Sequence, residues 1–287
     1  MMTVACVMRS GGAFVADHVR YLADGVRRHL HVPHRFVCLT DAIGRPPASE
    51  VYGHPFGSTI VPLVHDWPGW WAKMELFRVP GPVLYCDLDT VIVGDIDALA
   101  NAVTALPSGA LLMLDDFYRH RPASGIMGWA GGMDWMYERF RDKYARTARW
   151  IEGRRVAGYV HGMHMAVHNK RWRGDQDWLR DMVRHCRVPV TIAQHVVPGI
   201  VSFKVDVRPT MTLPDGACVV CFHGEPRPWD LDPRPEWMPL PTPPGTNDPI
   251  PWDDAKADPV GDVRRMMDAV TPPEYGGRDE STDRQTQ

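Results

Sequence analysis

The order strand, glycine turn, amphipathic helix, strand over the first forty residues restricts the fold of this chain more than any other feature. Val4 to Met8 is a short apolar run that ends in Arg9-Ser10-Gly11-Gly12, a turn rich in glycine. A helix is predicted from about Val15 to Leu30, because Val19, Leu22, Val26 and Leu30 recur at helical spacing. His34 to Leu39 is a second apolar run, closed by Thr40-Asp41. Polar residues at the carboxyl ends of such strands are how an open, mostly parallel sheet builds a crevice for a nucleotide. The expected class is therefore α/β, a Rossmann-like central sheet flanked by helices.

The following residues extend that pattern. Residues 42–68 read as loop around a short strand at Thr59 to Leu63, and Trp70 to Phe77 as a helix. Pro82-Val83-Leu84-Tyr85-Cys86 is the most apolar strand signal in the chain, and it stops at Asp87-Leu88-Asp89-Thr90. Ala110 to Leu114 is a further strand, ended by Asp115-Asp116. With 287 residues and 44% hydrophobic content, the chain has enough for one large domain with a sizeable core. Residues 1–238 are assigned to that domain. Prolines crowd Pro239 to Pro251 and acidic residues dominate from there on. Residues 239–271 read as a Pro-rich, acidic extension with one short amphipathic helix at Asp258 to Val270, and residues 272–287 as a disordered tail.

No run approaches the length of a membrane span, and the N-terminus lacks the pattern of a signal peptide. A cytoplasmic protein is expected. Six cysteines in a chain this long are no disulfide framework. Cys218-x-x-Cys221 lies in an apolar run without a second pair or turn residues between its cysteines, so a core role is preferred over zinc or redox chemistry. The net charge of −3 hides an asymmetry: residues 139–187 carry 13 Lys/Arg against 5 Asp/Glu, and residues 188–287 carry 9 against 16. A solvated helical face is the simpler reading of the basic stretch. The sharper one is a wall facing an anionic partner such as a diphosphate, an acidic glycan or nucleic acid.

Two segments carry chemistry. Asp87 and Asp89 would point to opposite faces of a regular strand, but at a strand end that bends into a turn both can reach one divalent ion. Mg²⁺ and Mn²⁺ take carboxylate oxygens together with phosphate oxygens, and bridging a diphosphate offsets the charge that develops as a group departs. The second segment is Cys221-Phe222-His223-Gly224-Glu225-Pro226-Arg227-Pro228-Trp229. Its histidine can complete a Mn²⁺ site and its arginine suits a phosphate. Without other support it reads as a surface turn.

Tyr85 to Ile92 followed by Gly94-Asp95-Ile96 resembles the metal-binding segment of retaining family-8 glycosyltransferases, which have the GT-A fold. His223-Gly224-x-x-Arg227-Pro228-Trp229 resembles that family's later His-Gly-Lys-Pro-Trp motif, and Asp175-Gln176-Asp177 its Asp-Gln-Asp triplet. The resemblance implies that Asp87, Asp89 and His223 ligate Mn²⁺ or Mg²⁺, that Asp175 holds a donor-sugar hydroxyl, and that Gln176 lies near the anomeric carbon. Lys73 and the small-residue turn at Ser124-Gly125 would lie beside the donor. Arg9, Gly224 and Arg227 are grouped with these donor-binding residues.

The implied reaction is transfer of a sugar from a nucleoside diphosphate donor, a UDP-sugar, to an acceptor hydroxyl with retention. The acceptor is a glycan, a small molecule or a modified DNA base. The sequence departs from the family where glycine directly follows His223, where Arg227 replaces the lysine, and where Ala123 replaces an asparagine.

Competing readings are a haloacid dehalogenase-like phosphohydrolase with Asp87 as nucleophile, and a nucleotide-sugar binding protein without activity. The first leaves the Asp-Gln-Asp and His223–Trp229 segments without a role. His161, His164 and His168 would share a face only on a helix, and Gly162 with Val160 and Val167 favours a strand; acceptor contact is the preferred reading. Trp67, Trp70, Trp71, Trp129 and Trp135 are assigned to the core by default.

Overall fold

The computed structural model describes residues 1–42, 58–152, 172 and 174–239. The expected histidine run at 161–168 and the extension and tail beyond residue 239 lie outside the described residues. Strands β1 (Met2–Met8), β2 (His34–Thr40), β3 (Ser58–Pro62), β4 (Val83–Cys86), β6 (Leu111–Asp115), β7 (Pro122–Trp129) and β8 (Val190–Ile192) form one seven-stranded sheet in the order β3-β2-β1-β4-β7-β6-β8. All its pairings are parallel except the two made by β7, which runs against β4 and β6. A smaller sheet joins β5 (Thr90–Ile92), β10 (Val219–Cys221) and β9 (Ile200–Ser202).

Alternation along each strand feeds two hydrophobic layers. Val4, Cys6 and Met8 of β1 pack with Leu84, Cys86, Leu112 and Ile126 on one side of the large sheet. Helix α1 (Ala16–His29) covers that side through Val19, Leu22 and Val26, as its 3.6-residue spacing requires, together with Leu99 and Val103 of α2 (Asp97–Thr104). Ala5, Val83, Tyr85, Met113 and Met127 face the other side. There they meet Trp71, Met74 and Phe77 of a tight helix at Gly69–Arg78, Met136, Tyr137 and Phe140 of α3 (Asp134–Glu152), and Trp178 and Leu179 of α4 (Asp175–Cys186). Burial on both faces is why these strands read as continuous apolar runs.

The expected helix at Trp70–Phe77 is present, but it winds as a 3₁₀ helix. Its packing holds it in that tighter form: every residue from Trp71 to Arg78 is buried, and Glu75, fully enclosed, accepts from the backbone N–H groups of Val64 and His65 and pairs with Arg78 at 2.6 Å. Trp67, Trp71 and Trp129 are core residues as expected, and Trp135 packs against the core from a partly buried position. Trp70 is about half exposed. Cys218 and Cys221 are buried free thiols in and beside β10, with burial raising the pKa of both. Among the described residues no helix is long and apolar enough to cross a membrane.

Candidate active site

The carboxyl ends of β1, β2, β3 and β4 open on one edge of the large sheet. Because β7 runs antiparallel, its start meets them there: Cys86 pairs with Ile126, and the Asp87 N–H donates to Gly125 O at 2.9 Å. A Cβ on Gly125 would sit 3.6 Å from the Asp87 carboxylate, so the bare glycine lies directly over it. Thr90 N–H returns to Asp87 O at 3.0 Å, closing a turn between β4 and β5. Leu88 is buried in the core and anchors that turn, while Asp87 and Asp89 flank it.

Four residues predicted separately meet in one buried cluster. Lys73 Nζ lies 2.9 Å from Asp87 Oδ1, 3.1 Å from Asp175 Oδ2 and 3.5 Å from Ser124 Oγ. Ser124 Oγ donates to Asp175 Oδ2 at 2.8 Å, and the Tyr85 hydroxyl donates to Asp87. Burial alone would lower the Lys73 pKa, but the two carboxylates outweigh it and raise it above its ordinary value. Lys73 is thus a fixed cation. Burial, and then the Asp87 charge, push the Tyr85 phenol well above its usual range, so it remains a donor.

Asp175 is the first residue of α4 and Gln176 the second. The Gln176 amide lies between the Ser124 backbone N–H and the Arg180 guanidinium, with its oxygen best assigned toward Arg180. Arg180 in turn binds Asp116, Asp177 and the Pro122 carbonyl, which ties α4 to the loop after β6.

Arg227 pairs with the Asp89 carboxylate and lies over the Phe14 ring. Two residues on, Trp229 stacks on His18 of α1 with centroids 3.5 Å apart, holding the loop against that helix. His223 Nε2 shares a 2.7 Å hydrogen bond with Ser202 Oγ, and its ring is flanked by Phe117 and Tyr118. Burial and then Lys204 lower the His223 pKa, so the imidazole is neutral near pH 7. Arg9 is placed on the far side of β1, bound to Asp41 and Asp66.

The predicted metal ligands approach one another through the backbone. Cys221 pairs with Thr90, and the Phe222 N–H reaches Asp89 O at 3.3 Å, so His223 and Asp89 leave adjacent strand ends. Two carboxylates and a neutral imidazole suit Mn²⁺ or Mg²⁺ in kind. The three side chains are held by separate partners, and their ligand atoms do not gather within 4.8 Å. Among the described residues only His31, Asp95 and Asp97 do so. His31 of that group precedes β2 and therefore lies at the opposite edge of the sheet.

No protein-family model matches the sequence, and no curated protein matches it. Solved structures do. The glycosyltransferase GlyE of Streptococcus pneumoniae TIGR4 aligns with 80% of this chain at 15% identity and a TM-score of 0.52. The galactosyltransferase LgtC, solved with donor and acceptor sugar analogues, aligns with 95% of it at 12% identity and a TM-score of 0.50. This is the GT-A glycosyltransferase fold. The chain spans 57% of the length of GlyE and 98% of that of LgtC.

Within this GT-A fold, several residues at the cleft escaped the sequence reading. Asp115-Asp116 was visible as the stop of a strand, but its link to Arg180 was not. Ser202 and Lys204, on the strand end and turn beside His223, belong to no motif. Phe117 and Tyr118 were hidden because a sequence does not say which loop faces which.

Proposed function

We propose that this chain is a glycosyltransferase that moves a sugar from a nucleoside diphosphate donor, a UDP-sugar, to an acceptor hydroxyl with retention of configuration. The observation that carries the reading is the Lys73–Asp87–Asp175–Ser124 cluster under the Asp87-Leu88-Asp89 turn of a GT-A fold. The structurally similar galactosyltransferase was solved with donor and acceptor sugar analogues, which supports the same two substrate classes here. A phosphohydrolase working through Asp87 finds no support in this fold.

Asp87, Asp89 and His223 would hold Mn²⁺ or Mg²⁺, which offsets diphosphate charge as the sugar departs. The remaining work falls to the chain itself. Arg227 exchanges Asp89 for a phosphate oxygen, for which its planar fork is suited. Asp175 accepts a hydrogen bond from a donor-sugar hydroxyl and is oriented by Lys73 and Ser124. Gln176 presents its amide toward the anomeric carbon and is fixed by Arg180. The acceptor, a glycan, a small molecule or a modified DNA base, enters beside them. The basic surplus of residues 139–187 is compatible with an anionic acceptor.

A panel of UDP-, GDP- and TDP-sugars, with and without Mn²⁺, tests this. Metal-dependent binding and slow donor hydrolysis are expected with a UDP-sugar, and Asp89→Ala should lower turnover on the order of 100-fold. Absence of metal-dependent binding and cleavage across the panel would overturn the reading.

A further inference from the structure

We infer that Lys204, beside the His223–Gly224 turn, is a second cation for the donor diphosphate. This rests on the proposed function and extends it to a residue outside every motif of the sequence. Lys204 follows β9, whose end at Ser202 lies beside Cys221 in the parallel β9–β10 pair. The side chain is half-buried and reaches the Gly224 turn: a Cβ on Gly224 would stand 3.4 Å from Lys204 Nζ. Gly224 has φ +79, a conformation that a side chain rarely adopts, so the turn keeps its backbone bare where the ammonium approaches.

The other cations are each paired with a carboxylate. Lys73 is bound to Asp87 and Asp175, Arg227 to Asp89, Arg9 to Asp41 and Asp66, and Arg180 to Asp116 and Asp177. Among the described residues Lys204 has no ion pair, although it stands near enough to His223 to act on its charge. The Asp206 carboxylate, two residues on, accepts from the Ser202 N–H at 2.7 Å. An ammonium with no ion pair to give up is open to an anion that enters the cleft.

The anion expected there is the donor diphosphate, because the Asp87-Leu88-Asp89 turn and Arg227 stand at the same strand ends. Lysine binds phosphate as a point charge, so it can follow either phosphate group over the short arc of its four-carbon stem.

The test is a titration of the full chain with UDP at saturating Mn²⁺, with GDP or TDP in its place if UDP does not bind. Lys204→Ala should weaken binding about ten-fold, and Lys204→Arg should restore most of it. Uridine binding, measured by competition, and Mn²⁺ binding without nucleotide, measured by electron paramagnetic resonance, should remain at wild-type strength. An unchanged melting temperature shows that the variant folds. Wild-type diphosphate affinity in Lys204→Ala would overturn the inference. So would an equal loss of Mn²⁺ binding, because Lys204 would then act through His223. A wild-type chain that binds none of these nucleotides with Mn²⁺ overturns the proposed function itself, a result distinct from any effect of the variant.

Discussion

Lys73 is the residue on which the cleft turns. It is nearly enclosed, and its ammonium separates two carboxylates that belong to elements far apart in sequence. Its hold on both fixes where the Asp175 and Asp87 carboxylates stand. Replacing it with methionine keeps the stem and removes the charge, so Asp87 and Asp175 would face each other without a counter-ion. Lys73→Met is expected to lose about 3 kcal/mol of stability in urea unfolding and to bind the donor poorly. Lys73→Arg should not restore donor binding, because a planar fork cannot occupy the site of a compact ammonium that meets three oxygens. Stability equal to wild type in Lys73→Met would show that the cluster is more hydrated than its burial implies.

At the scale of elements, the antiparallel β7 decides where the site lies. It brings Ser124 and Gly125 to the same edge as Asp87, and its register against β6 shifts there: Met113 pairs with Met127 but Leu114 with Ala123, which leaves Ser124 to Ile126 without a partner on β6. β7 also packs closely against α2. A Cβ at Gly128 would stand 2.3 Å from Val103 Cγ2 and 3.2 Å from Val83 O. Val103 is stiff at χ1 and fully buried, so it has little room to turn away. Gly128→Ala should therefore cost about 1–3 kcal/mol, read as a lower urea midpoint with an unchanged slope. The 3₁₀ helix at Gly69–Arg78 makes the same point from the other side of the sheet. It buries the Glu75–Arg78 pair among aromatic neighbours and carries Lys73 to its place under the turn.

For the whole molecule, burial of histidines sets the response to acid. His18, His29, His34, His65 and His223 all have pKa values lowered first by burial, and His65 is brought down to about 4. His65 stacks on Trp67, shares a 2.7 Å hydrogen bond with the Tyr137 hydroxyl, and lies near Arg78 and Arg141. A folded-state pKa below the ordinary value of about 6.5 means that the unfolded chain takes up the proton first. The contribution is therefore complete above about pH 6.5 and is lost as the pH falls toward 4. Urea midpoints measured between pH 7 and pH 4 should decline across that window, and His65→Gln should flatten part of the decline. A variant with the wild-type slope would remove His65 from this account.

The alternation of strand and helix, the apolar runs buried on both faces, helix α1 almost to its ends, and the stop of a core strand at two aspartates are all legible in the order of residues. These are local properties, since a period of two or of 3.6 residues is written into neighbouring positions. The same order names Lys73, Asp87, Ser124 and Asp175 one at a time, through the motifs they belong to. That these four touch follows from the folded chain alone, because ion pairs across fifty or a hundred residues depend on strand order and register. The folded chain alone shows that β7 runs backward, that the helix at 69–78 is 3₁₀, and that Asp89 is held by Arg227. Lys204 is the clearest case. Nothing around it in sequence marks it, and its place beside Gly224 comes from β9 lying parallel to β10 and from a glycine that leaves room for the ammonium.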